Sequence, residues 1–240
     1  MKLKKNEILI IGGLGSIGSV ITNYLFQKKL DPIVVDKNKN KDKNIKNFFK
    51  INLNNKLIIE NSLKKIFKKY PKIKILINCN GLIHNELIYD FIKKKVHSEK
   101  NLINIFKQNV IIPFLTSGYF VKHMIEKSSK ESLIINFSSV NSNGVVGQSG
   151  YSASKKSIEI LTKTWSKEFS NHKIRFACIA PGYINLQSTN NKTKKQKLKK
   201  IINEIPIKRL GKKNEILNAI LFIIKNDYFN GKVLQIDGGL

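Results

Sequence analysis

Tyr151 and Lys155 stand four residues apart in SGYSASKKS (149–157), about one helical turn, so on a helix they share a face. A phenol with a pKa near ~10 exchanges a proton poorly at neutral pH unless something steadies its anion. An ammonium one turn away does so by charge, and the pair can then pass a proton to or from an oxygen whose bonding is changing. Such a device also wants a hydroxyl to grip that oxygen, and SLIINFSS (132–139) offers Ser138 and Ser139 just upstream. Lysine is abundant in this chain, so the pair alone would also fit two ordinary helix residues. The remaining sequence must supply the company that chemistry needs.

The first part of that company is IGGLGSIG (11–18), where Gly13, Gly15 and Gly18 have G-x-G-x-x-G spacing between a strand-like EILII and a helical stretch. Glycines there let the backbone approach a pyrophosphate, and the helix that follows offers amides and the positive end of its dipole. Roughly 20 residues on, where a dinucleotide fold needs a carboxylate for the adenosine ribose diol, PIVVD (32–36) ends in Asp36. A carboxylate repels a 2′-phosphate, so Asp36 favours NAD(H) over NADP(H), a preference that the neighbouring Lys37 tempers.

The elements that must position these residues alternate along the chain. Apolar runs at 7–11, 32–36, 48–53, 73–78, 132–139, 173–180 and 232–237 are expected as strands. Helical stretches follow the glycine turn to Gln27 and cover 61–69, 100–127, where Pro113 marks a bend or irregularity, and Tyr151 to Ser170. Strands apolar throughout, rather than alternating, are buried on both faces. The expectation is therefore a single α/β domain over 1–240, doubly wound, with a parallel sheet of about seven strands and helices on both faces.

The formal charge is +28, and it suggests nucleic acid only at first sight. Arginine occurs only at Arg175 and Arg209, while the lysines are spread among asparagines and isoleucines with no recognised nucleic-acid module. A compositional bias explains this better than a binding face, so no specific nucleic-acid partner is expected. Cys79 and Cys178 lie in strand-like contexts and read as reduced, buried thiols; His84, His97, His123 and His172 lack ligand spacing, so no metal is expected. The apolar run in MKLKKNEILIIGG is too short for a signal peptide, and no run approaches a membrane span. A cytoplasmic protein is the expectation.

Six motifs in order then resemble the short-chain dehydrogenase/reductase family over nearly the whole chain, its 3-oxoacyl-[acyl-carrier-protein] reductase-like members above all. They are IGGLGSIG, INCNG (77–81), FKQNV (106–110), INFSSV, YSASK and APGYI, and the tail IPIKRLGKKNEI…FNGKVLQIDGG is similar to the family's C-terminal region. Cys79 and Asn80 replace the middle residues of the family's NNAG motif. The resemblance implies a Rossmann fold and an NAD(P)(H)-dependent oxidoreductase that interconverts a carbonyl and a secondary alcohol. It assigns catalysis to Asn109, Ser139, Tyr151 and Lys155, with Lys155 also holding the nicotinamide ribose and Asn109 supporting a water relay to the lysine. Ser139 holds the motif position but lies twelve residues before Tyr151, whereas Ser138 has the more frequent spacing of thirteen; motif position favours Ser139. Cofactor contacts are implied for Gly12, Gly13, Gly15, Ser16, Ile17, Gly18, Asp36, Asn52, Leu53, Asn80, Gly81, Tyr151, Lys155, Pro181, Gly182 and Ile184. Leu186 stands where the family often has threonine, with Ser188 and Thr189 as substitutes. A variable lid over about 186–206 and a homo-oligomer, dimer or tetramer, are also implied. The substrate is expected to be a small or carrier-linked carbonyl compound, such as a 3-oxoacyl thioester or a sugar derivative. The rivals are a non-catalytic dinucleotide-sensing protein and, on charge alone, a nucleic-acid-binding protein.

Overall fold

The structure is a computed structural model and describes residues 3–40, 45–128, 131–185 and 192–240. Its strands are β1 (Ile8–Ile11), β2 (Ile33–Asp36), β3 (Phe48–Lys50), β4 (Ile75–Asn78), β5 (Tyr89–Asp90), β6 (Lys95–Val96), β7 (Ser132–Phe137), β8 (Ile174–Pro181) and β9 (Lys232–Ile236). Its helices are α1 (Gly18–Gln27), α2 (Lys56–Lys69), α3 (Glu99–Phe106), α4 (Ile112–Glu126), α5 (Ser149–Glu168), α6 (Lys192–Glu204) and α7 (Lys213–Lys225). Seven strands form one sheet in the order β3-β2-β1-β4-β7-β8-β9, every neighbouring pair parallel. The chain winds outward from β1 to β3, then returns to the other side of β1 with β4. That reversal opens a crevice at the carboxyl ends of β1 and β4, the place where open α/β sheets take ligands.

Alternation within the strands explains the two cores. Leu9 and Ile11 of β1 join a cluster with Ile59, Leu63 and Phe67 of α2, Phe120 of α4 and Trp165 of α5. Ile8 and Ile10 point to the other face and pack with Ile21 and Leu25 of α1 and Ile216, Ile220 and Ile223 of α7. Helices on both faces thus require the continuous apolar runs seen in the sequence.

The expected bounds shift where local chemistry intervenes. β3 stops at Lys50, and β7 stops at Phe137, so Ser138 and Ser139 lie just beyond the sheet. α2 begins earlier than expected because the Asn55 side chain accepts from the Ile58 amide at its N-terminus. The stretch 100–127 is not one helix: a π-helical turn over Lys107–Ile111 separates α3 from α4. Pro113 sits in the first turn of α4, where it has no N–H to offer the Asn109 carbonyl four residues earlier. The antiparallel β5–β6 pair and α7 were not anticipated.

Arg175, in β8, is 8% exposed and ties the end of α7 to the sheet. Its Nη1 donates to the carbonyls of Ile223 (3.1 Å), Asn226 (3.2 Å) and Phe229 (3.1 Å), and its Nη2 reaches Asp227 at 3.3 Å. A cation placed there answers both the unfilled carbonyls and the negative end of the helix dipole. Arg175→Ala is expected to cost about 2–4 kcal/mol, which thermal unfolding would register as a drop of roughly 5–15 °C in Tm.

Candidate active site

The turn after β1 is built on close backbone packing. Gly12 has φ +74°, and a Cβ there would come within 2.8 Å of the Asn80 amide nitrogen at the end of β4. A Cβ on Gly13 would press on Val34 Cγ1 at 2.6 Å, and one on Gly18 would strike the Gly12 carbonyl. Gly13 and Gly18 therefore let the turn fold tightly, while Gly12 and Gly15 line the crevice together with Asp36, Asn52, Leu53, Asn80 and Gly81. No side chain caps the N-terminus of α1, and no acidic residue lies in its first turn, so its positive end is left for an anion. Ser16 and Ile17 belong to this turn but are not part of the crevice lining.

Asp36 closes β2 and is buried; its Oδ2 accepts from the Leu14 amide at 3.0 Å and its Oδ1 from the Asn38 amide at 2.9 Å. The carboxylate is thus held in place, and each oxygen keeps a lone pair for a ribose diol. Lys37 lines the same crevice, as do Asn38, Ile51 and Gln108, which sequence reasoning did not single out. Gln108 sits one residue before Asn109 in FKQNV, and its carbonyl takes the Asn80 side-chain amide at 2.6 Å. These features fit a dinucleotide: backbone room for the pyrophosphate, an open helix end and a fixed carboxylate beyond it.

α5 delivers Tyr151 and Lys155 against the end of β7; neither they nor Ser139 and Asn109 belong to the crevice lining, which comes nearest to them at Gly81. Lys155 is 5% exposed and donates from Nζ to the Phe137 carbonyl at 2.8 Å. Its Nζ lies 5.9 Å from the centre of the Tyr151 ring. A Cβ on Gly81 would stand 3.4 Å from both Lys155 Nζ and Asn109 Oδ1, so these three residues converge. Burial holds the Lys155 ammonium down to about 8, with the neighbouring Cys178 and Cys79 pulling weakly upward. Burial likewise pushes the Tyr151 phenol above its ordinary value, and a hydrogen bond with Ser139 draws it back.

The two serines part company here. Ser139, in extended backbone, accepts from the Asn141 amide at 3.2 Å and meets Tyr151. Ser138 turns away, donating to Glu159 Oε1 at 2.7 Å and to the Lys155 carbonyl at 3.2 Å. Asn109 is buried in the π-helical turn and its side chain is fully engaged. Its Nδ2 donates to the Leu82 carbonyl and to Ser154 Oγ, both at 2.9 Å, and its Oδ1 accepts from the Leu82 amide at 2.7 Å.

Pro181, Gly182 and Ile184 are not brought into the crevice lining. Pro181 ends β8, Gly182 packs on the Asp237 backbone, and Ile184 pairs with Gly211. Leu186, Ser188 and Thr189 lie outside the described residues, as does the start of the expected lid; α6 covers most of the remainder. Cys79 and Cys178 are unpaired, and burial pushes the Cys178 thiol up to about 12. Among the described residues no three His, Cys, Asp or Glu side chains cluster as metal ligands, and no helix is long and apolar enough to cross a membrane.

Known proteins resemble this chain in sequence and in fold. A 3-oxoacyl-[acyl-carrier-protein] reductase, FabG, of Thermotoga maritima is 30% identical over 253 residues, covering 100% of this chain and 99% of that protein. A FabG of Buchnera aphidicola subsp. Baizongia pistaciae is 32% identical, covering 80% of this chain and 76% of its own length. A short chain dehydrogenase from Leptospira borgpetersenii with bound NAD+ superposes with a TM-score of 0.87 at 23% identity, over 99% of this chain and 93% of that one. A 4-hydroxyisoleucine dehydrogenase complexed with NADH gives 0.82 at 24% identity, over 97% of each. These last two speak for the fold. The family model for short chain dehydrogenases matches residues 6–197, four-fifths of the sequence, and takes in the glycine turn, both serines, Tyr151 and Lys155. This chain belongs to the short chain dehydrogenase family.

Proposed function

We propose that the protein is a nicotinamide-dependent carbonyl reductase in which Tyr151 is the general acid, and that its substrate is a 3-oxoacyl group carried on an acidic protein. The observation that carries the reading is the placement of Tyr151 and the buried Lys155 one turn apart on α5, with Lys155 beside Gly81 of the crevice and Ser139 drawing the Tyr151 phenol down. When bound, the nicotinamide cofactor supplies or accepts the hydride. Ser139 then holds the substrate oxygen, and Tyr151 gives that oxygen its proton. Lys155 steadies the resulting phenolate, and its burial makes its charge act through little water. Asn109 fixes the Leu82 backbone beside the lysine, and its carbonyl is the site for a relaying water. Asn52, Leu53, Asn80 and Gly81 line the cofactor's path, with Gly12 and Gly15 under the pyrophosphate.

The substrate class rests on the 3-oxoacyl reductases among the relatives and on the charge of +28, which suits an acidic carrier. A sugar or polyol substrate is the second reading, favoured by the carboxylate at Asp36 if NADH proves the working cofactor. Exposed apolar residues on the helices around 99–168, among them Leu102, Ile103, Ile111, Phe114 and Ile160, support burial of that face in a homo-oligomer.

Asp36 sets the cofactor preference. Asp36→Ala is expected to weaken NADH binding by roughly 10–100-fold, the loss of one charge-assisted hydrogen bond, and to weaken NADPH far less. Fluorescence titration with both cofactors measures the ratio. Equal losses would assign Asp36 to holding Leu14 and Asn38 alone. Turnover on acetoacetyl thioesters, against a panel of ketones and sugars, tests the substrate class; tight NADH binding with no turnover anywhere would favour a sensing protein instead.

A further inference from the structure

Tyr151, Lys155 and Glu159 follow one another at four-residue intervals on α5, so they form one stripe, and each meets a different residue at the end of β7. Lys155 takes the Phe137 carbonyl, Tyr151 meets Ser139, and Glu159 reaches on both sides of Ser139. Its Oε1 accepts from Ser138 Oγ at 2.7 Å and from Ser142 Oγ at 2.6 Å, while Oε2 pairs with Lys156 at 2.8 Å. The Ser142 amide in turn donates to the Ser139 carbonyl at 3.0 Å. One carboxylate oxygen therefore clamps the residue before Ser139 and the residue three after it. The Glu159 side chain is only 12% exposed.

We propose that Glu159 is a positioning residue, which sets the Ser139 hydroxyl against the Tyr151 phenol by fixing both shoulders of the loop that carries it. The last bond to β8 is that of the Ser138 amide to the Ile179 carbonyl at 2.8 Å, so Ser139 is the first residue of the loop that the sheet does not hold. Without the clamp, Ser138 keeps its bonds to Ile179 and Lys155, but Ser142 loses its tie to α5, and the loop between them, which carries the Ser139 hydroxyl, drifts. A displacement on the order of 1 Å in such a group lowers turnover by about 100-fold. The three hydrogen bonds also hold the Glu159 carboxyl below its ordinary value despite its burial, so at neutral pH it is the anion that accepts from both serines. The proposal rests on the reading of Ser139 and Tyr151 as the reacting pair.

The test compares Glu159→Ala and Glu159→Gln with the unaltered protein. Gln keeps one oxygen able to accept from both serines and loses the negative charge, and with it the pairing with Lys156. The expected result is a kcat lowered roughly 10–100-fold by Ala, with the NADH dissociation constant within about twofold, and a Gln variant within about threefold of the unaltered protein. NMR of ring-labelled tyrosine supplies a readout independent of turnover: the Tyr151 phenol should titrate at higher pH in the Ala variant, because Ser139 no longer draws it down, and at its original position in the Gln variant. Unchanged kcat and an unmoved phenol, with only a lower Tm in Ala, would overturn the proposal and leave Glu159 as a structural tie. Equal losses in Ala and Gln would overturn it as well, by assigning the effect to charge. If the unaltered protein turned over no carbonyl substrate while the phenol shifted as expected, the clamp would stand and the catalytic reading would fall.

Discussion

Tyr151→Phe lowers carbonyl reduction by roughly 10²–10⁴-fold and leaves the NADH dissociation constant within about twofold. The variant removes one oxygen from a ring that is 5% exposed, so packing around α5 is preserved. What disappears is the only group on the stripe that both meets Ser139 and carries a transferable proton. Stopped-flow measurement of hydride transfer separates this loss from any change in binding. A Phe variant with turnover near that of the unaltered protein would move the general acid elsewhere.

The second large effect concerns Lys155, and here activity and stability move in opposite directions. The folded-state value of about 8 lies below the ordinary lysine value of 10.5. Between those two pH values the unfolded chain binds a proton that the folded chain has released, so stability rises with pH across that window. Below about 8 the folded protein bears the full burial cost of the ammonium, roughly 3 kcal/mol. Lys155→Met keeps the length of the side chain, removes that cost and forfeits the hydrogen bond to Phe137. The variant is therefore expected to be about 1–3 kcal/mol more stable near neutral pH, to lack the rise between about 8 and 10.5, and to lose turnover by ~10²-fold or more. Urea unfolding at both ends of the window, beside kcat, measures all three. A variant less stable than the unaltered protein at neutral pH would contradict the burial argument.

Much of the fold was legible because burial on both faces writes strands as unbroken apolar runs. Ile8–Ile11, Ile33–Asp36, Ile75–Asn78 and Ile174–Pro181 emerge nearly where the runs predict them. The β5–β6 pair did not emerge, since two residues per strand carry no period to read. Pro113 announced an irregularity, but the π-helical turn it accompanies lies upstream, at Lys107–Ile111, and the proline cannot say so by itself. At the site, residue types and spacing pointed to Asp36, Tyr151 and Lys155, whose neighbours in sequence are their neighbours in space. Alternation said that Ser138 and Ser139 face opposite ways without saying which faces Tyr151; that depends on Glu159, twenty residues away in sequence from Ser139. Beside Lys156, Glu159 looks like part of a solvated helix face. Ile51 and Gln108 were missed for a similar reason, since their place in the crevice comes from where β3 stops and where the helix widens.

The proposed activity is hydride chemistry on a carbonyl, with Asp36 choosing the cofactor. Parallel determination of kcat/KM for NADH and NADPH with an acetoacetyl thioester and a panel of ketones and sugars tests it most directly. Turnover with a preference for NADH is the expected result. Tight binding of NADH with no turnover on any carbonyl would contradict it.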